Sequence, residues 1–159
     1  MYKNEMKNKL LHTFLIITLI SCNKNGKSEI IENDKAKNKT VFKLDFFKTI
    51  PDTIDGCGDY FTLENEKSVD QNYIFLSNLS SFAIIKVNGK NVFLEKDTIN
   101  SKEISKNEYI EIYSGNGYKA TLKTKMIKQY DEGGFCKGTL KINNKSEEIE
   151  YKIKGEFGC

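Results

Sequence analysis

Histidine, arginine, tryptophan and proline are missing or nearly missing from this 159-residue chain. The single histidine, His12, lies in the amino-terminal apolar stretch. The rest of the chain therefore has no imidazole for a Ser-His-Asp or Cys-His relay, or for a histidine-bound zinc. All 25 basic residues are lysine. Without the planar guanidinium fork, anion recognition would rest on lysines and backbone amides. The four cysteines show no Cys-x-x-Cys spacing, which argues against structural zinc. No cofactor is expected. The longest apolar run, the eleven positions from Leu10 to Ile20, is interrupted by His12, Thr13 and Thr18. A membrane-crossing helix needs roughly 20 such residues. The formal charge of +3 drops beyond residue 21 to 22 lysines against 21 acids, a net of +1. A nucleic-acid partner would call for a clustered basic face, so none is expected.

What the amino terminus does contain is a positively charged start, residues 1–9, followed by the apolar run and then Leu19-Ile20-Ser21-Cys22. The short run suits the core of an export signal. The four residues after it resemble the lipobox of bacterial prolipoproteins. The resemblance implies cleavage before Cys22, a diacylglyceryl group on its thiol and acylation of the new amino terminus. Several acyl chains, at about 0.8 kcal/mol per buried methylene, make a lasting membrane anchor. Residues 1–21 are thus expected to be a signal peptide, and 22–40 a lipidated cysteine and tether. The tether is rich in Asn, Lys, Glu and Ser. With only Ile30 and Ile31 to bury, it should stay flexible and hold the domain roughly 20–25 Å from the membrane. No acidic run follows Cys22, which points to the periplasmic side of the cell envelope.

From residue 41 to 159 the apolar residues recur mostly at every second position, the period of a half-buried strand. Tyr118, Ala120, Leu122, Thr124 and Met126 alternate with Lys119, Thr121, Lys123 and Lys125, and Ile149, Tyr151 and Ile153 alternate with Glu148, Glu150, Lys152 and Lys154. These charges belong on a solvent face. In residues 82–94, Asn88-Gly89 supplies the two positive-φ positions of a type I′ turn between strand-like runs. That hairpin sets Ile85 against Val92 and Ile84 against Phe93. Further strands are predicted at 41–47, 59–64, 72–77, 108–113, 135–142 and 148–155, the last two joined by a turn around Asn143-Asn144. A short helical turn is predicted around 98–107. With about eight or nine strands and no strand–helix alternation, the fold class is all-β, a small antiparallel barrel or sandwich.

In an oxidising compartment Cys57, Cys136 and Cys159 allow one bond. Cys57 with Cys159 is preferred, because both lie beside glycine at the two ends of the β domain; Cys136, within a strand pattern, reads as a buried small residue. Asp52, Asp55 and Asp59 around Cys57, and Asp131-Glu132 before Gly133-Gly134, read as acids of solvated turns. Two glycine clusters are candidate binding loops: Ser114-Gly115-Asn116-Gly117-Tyr118, and residues 133–138 with Lys137. Together they resemble the membrane-bound inhibitors of c-type lysozyme, small β-barrel lipoproteins with an early and a terminal cysteine. Ser114-Gly115 and Tyr118 match the loop that enters the lysozyme cleft in that family, Lys137-Gly138 matches its Lys-Gly pair, and Cys57 and Cys159 match its bridge.

Two functions are expected on these grounds. One is a noncatalytic envelope lipoprotein binding a protein or envelope ligand, with the membrane as partner through Cys22. The other is a periplasmic inhibitor placing Ser114–Tyr118 in a lysozyme cleft. The usual nucleophile–base pairs are missing, so enzymatic activity is not expected.

Overall fold

Strand-period alternation is realised throughout the described part of the protein, residues 42–67 and 71–159 of a computed structural model. The signal, Cys22 and the tether, with Val41 of the first predicted strand, lie outside the described residues. Ten strands follow in order: β1 (Leu44–Asp45), β2 (Gly58–Leu63), β3 (Tyr73–Ser77), β4 (Phe82–Val87), β5 (Lys90–Lys96), β6 (Lys102–Ser105), β7 (Glu108–Gly115), β8 (Tyr118–Tyr130), β9 (Gly133–Asn143) and β10 (Glu148–Gly158). Eight of them close a barrel, and β1 and β6 are additional strands on β4 and β7. Around the barrel the order is β2-β3-β4-β5-β7-β8-β9-β10 and back to β2, every pair antiparallel. This is an up-and-down barrel, in which closure removes the free edges that an open sheet would expose.

The hairpin at 88–89 forms as the turn chemistry requires. Asn88 and Gly89 both have positive φ, 51° and 74°, and Ile85 pairs with Val92 and Ile84 with Phe93. Both faces of β4 are apolar because both are covered. Ala83, Ile85 and Val87 belong to the main core inside the barrel, while Ile84 packs outside with Leu76 beneath Phe47 and Ile54 of the segment before β2.

The expected helical turn at 98–107 is corrected. A single turn occupies 98–100, where Asp97 accepts hydrogen bonds from the backbone of Ile99 and Asn100, and the chain then extends into β6 along β7. The Gly133-Gly134 pair also differs from expectation. The turn lies at Asp131-Glu132, and both glycines are strand residues opposite Gly158 and Phe157 of β10.

The inside is filled by inward-facing rows: Phe61, Phe75, Ile85, Leu94, Tyr113, Leu122, Leu140 and Ile153 are each at most 1% exposed. Eight strands leave an interior just wide enough for such a filling. Glycine is needed where strands approach closely. A Cβ on Gly138 would stand 1.9 Å from the backbone oxygen of Lys123 on β8.

Cys57 and Cys159 form a disulfide across 102 positions, beside the point where β2 and β10 meet, Gly58 opposite Gly158. Cys136 is free and buried.

Candidate functional site

The barrel has two unlike ends. One carries the turns at Asn88-Gly89, Asn116-Gly117 and Asn144–Glu147; the other carries the β3–β4 turn, the β8–β9 turn and the disulfide. Most strands begin or finish their inward row at the second end on a polar residue. Asp59 precedes Phe61 by two positions, Ser77 follows Phe75, Lys96 follows Leu94, Glu111 precedes Tyr113 and Thr124 follows Leu122. With period-two geometry each polar side chain must share the face of its apolar neighbour. The consequence is a polar layer over the apolar core.

That layer is closely interconnected. Asp59 is 4% exposed and accepts a hydrogen bond from the Ser77 hydroxyl. Lys96 pairs with Glu111, donates to the Leu79 carbonyl at 2.8 Å, and lies 5.7 Å from the centre of the Tyr113 ring. The Tyr113 hydroxyl is buried and has no hydrogen bond of good geometry, although Ser77, Glu111 and Asp59 are all close enough to influence it. Burial, reinforced by Glu111, pushes the Asp59 carboxyl up to about 7, with Ser77 and Lys96 acting in the opposite direction. Burial also raises the Tyr113 phenol, and it raises the Cys136 thiol to about 11, with help from Asp59 and Glu111.

A cavity of about 240 Å³ opens onto this layer, lined by Asp59, Glu111, Thr124 and Cys136 on its polar side and by Phe61, Leu79, Tyr109 and Phe157 on its apolar side. A liquid water occupies about 30 Å³, so the space is on the order of eight waters. Among the described residues, no group of three or more His, Cys, Asp and Glu side chains is placed to hold a metal ion.

The residues singled out from sequence fall elsewhere. Ser114 and Asn116 are exposed and Gly115 is half-buried, in a tight β7–β8 hairpin where Asn116 and Gly117 take φ of 51° and 81°. Asn116 donates to the Phe93 carbonyl at 2.9 Å. Tyr118 is half-buried, its ring edge-on to Phe42 at 5.8 Å. Lys137 is not brought to this hairpin. It lies opposite Lys125, whereas Asn143 lies opposite Lys119, six positions along β8 (125 − 119), or about 20 Å at the rise of a strand. There it forms an ion pair with Glu64 at 3.1 Å. Cys22 lies outside the described residues. Asp52 and Asp55 are exposed, as the turn reading requires, but Asp59 faces inward. Its spacing from Phe61 and Leu63 is the signal that points there.

Comparisons with protein-family models, with curated proteins and with solved structures find no match.

Proposed function

We propose that this protein is a lipoprotein of the bacterial cell envelope, anchored through Cys22, whose barrel binds a ligand without transforming it. The observation that carries the binding part is the polar mouth. The buried Asp59 carboxyl and Glu111, the acid of the ion pair with Lys96, line a cavity at this end of the barrel, and the buried Tyr113 phenol belongs to the same polar layer. Buried polar groups normally find partners, and a buried carboxyl beside a cavity, with the Ser77 hydroxyl as its hydrogen-bond donor, suits a ligand better than a purely structural core. The noncatalytic part rests on the lack of histidine beyond His12 and on Cys136, whose raised thiol is protonated at neutral pH and so a poor nucleophile.

The test is thermal unfolding of the full chain in nonionic detergent with fractions of a low-molecular-weight envelope hydrolysate. A ligand at a hundred times its Kd stabilises the folded state by about 2.7 kcal/mol. The expected result is a raised Tm with one fraction, from which the ligand is recovered with unchanged mass. No shift with any fraction would overturn the binding reading; a ligand recovered altered would make the protein an enzyme.

The lysozyme-inhibitor reading is kept as the second one, because Ser114 and Asn116 are exposed in a tight hairpin and Cys57 pairs with Cys159. It predicts slower lysis of a peptidoglycan suspension by c-type lysozyme in the presence of the protein. Ser114→Ala is the cleaner probe of that loop, since Tyr118 also supports the fold through Phe42. Unchanged lysis at micromolar excess of protein would discard this reading for the lysozyme used.

A further inference from the structure

The mouth cavity brings together three kinds of group whose needs define a ligand. We infer that it takes a small primary ammonium with a compact apolar body, its nitrogen held by Asp59 and Thr124 and its body set among Phe61, Leu79, Tyr109 and Phe157. This rests on the binding reading above and gives it a chemical class.

Charge is the first reason. Two carboxylates, Asp59 and Glu111, line the cavity, and the nearby cation, Lys96, is committed to Glu111 and the Leu79 carbonyl. Among the described residues, Asp59 has only the Ser77 hydroxyl as a hydrogen-bond partner. A cation entering the cavity would supply the missing counter-charge, and a buried carboxylate is stabilised chiefly by such pairing. An anion would meet the same acids and be repelled.

Hydrogen-bonding capacity is the second reason. The Thr124 hydroxyl lines the cavity together with the Asp59 and Glu111 carboxyls. A primary ammonium has three donors and no acceptor. The two carboxyls and the Thr124 hydroxyl are acceptors for them. A quaternary ammonium would leave them unanswered.

Size and wall chemistry complete the description. Aromatic rings on the apolar side favour a cation's flank as well as an apolar body. A space of about 240 Å³ exceeds the 150 Å³ that holds benzene in an engineered cavity, so a ligand of about eight non-hydrogen atoms fits.

Benzylammonium, benzyl alcohol and benzoate share one body and differ in charge, which makes them the probes. Calorimetric titration of the full chain in nonionic detergent at pH 7 should show benzylammonium binding about tenfold or more tighter than benzyl alcohol, the scale of a charged hydrogen bond. Benzoate should not bind. Asp59→Asn should lower benzylammonium affinity about tenfold or more and leave benzyl alcohol unchanged. Should that variant not fold, the wild type still decides, because Asp59, Glu111, Thr124 and Cys136 line the cavity and their backbone amides report occupancy: benzylammonium should shift these resonances saturably. Equal or tighter binding of the alcohol or benzoate at this site would overturn the ammonium assignment and leave the binding reading in place. Benzylammonium binding without shifts at these amides would overturn the site. If none of the three probes binds while an envelope fraction raises Tm, the ammonium proposal fails alone; if that shift is also absent, both fail.

Discussion

Replacing Asp59 by asparagine keeps the shape of the side chain and its acceptor for Ser77 but removes the charge. In the folded protein burial and Glu111 lift this carboxyl from an ordinary 3.8 to about 7. Below about pH 4 both folded and unfolded chains hold the proton, and the group does not affect stability. Between 4 and 7 the unfolded chain has lost its proton and the folded chain keeps it, so unfolding releases a proton and rising pH favours it. Above 7 the folded barrel must carry the charge and the full cost is present. At about 1.4 kcal/mol per pH unit, the gap amounts to about 4 kcal/mol, of which about 3 kcal/mol falls between pH 5 and 8. That is a sizeable share of a typical 5–15 kcal/mol total.

The window is clean. Hydrogen bonding to Asn100, Lys125 and Lys141 holds Asp97, Glu108 and Glu148 below the usual carboxylate range, so the stability they contribute is lost only as pH falls below about 4. Cys136 titrates at alkaline pH, and the described domain has no histidine. Urea unfolding of the full chain at pH 5 and pH 8 reads the effect. The wild-type midpoint should fall by roughly 1–3 M, given a slope of about 1–3 kcal/mol per molar urea. In Asp59→Asn most of that fall should disappear, with the slope unchanged. An equal fall in wild type and variant would refute the assignment of a strained acid to the mouth.

Three further outcomes are expected. Cys22→Ser should abolish incorporation of a labelled fatty acid and move the protein out of the membrane fraction; retention in the membrane with the signal uncut would show residues 10–20 to be the anchor. Reducing the Cys57–Cys159 bond should lower stability by up to about 4.7 kcal/mol, the chain-entropy value for a loop of about 100 residues, measured as the urea midpoint with and without reductant. Gly138→Ala should be severely destabilising, because the added methyl collides with the Lys123 carbonyl across the β8–β9 ladder; Gly89→Ala, with open space around it, should cost only the strain of a positive φ. A circular dichroism melt that ranks these two variants the other way would contradict the register of β8 and β9.

The strands were legible because alternation is a direct image of a half-buried sheet. The Asn88-Gly89 hairpin and its register could be read from turn chemistry alone. Barrel or sandwich could not be decided, since closure depends on the pairing of β10 with β2 and of β5 with β7, contacts between distant segments that leave no local mark. Residues 98–107 misled because one side-chain-capped turn at Asp97 imitates the start of a helix. The mouth escaped for a different reason. Asp59 stands among glycines and other acids, so composition suggested a turn, while its two-residue spacing from Phe61 placed it on the inward face. The same spacing puts Lys96 on the face of Leu94 and Glu111 on the face of Tyr113, so strand period alone contains the polar layer. The glycine-rich loop drew attention by composition, yet its tyrosine is engaged with Phe42 and its distant lysine with Glu64.

Whether ligands meet this barrel at its polar mouth is tested most directly by amide chemical-shift mapping of the full chain in detergent during titration with benzylammonium chloride. The account predicts saturable shifts at Asp59, Tyr109, Glu111, Thr124, Cys136 and Phe157, and none at Ser114–Tyr118. Shifts centred on the Asn116-Gly117 hairpin, or no saturable shifts at all, would contradict it.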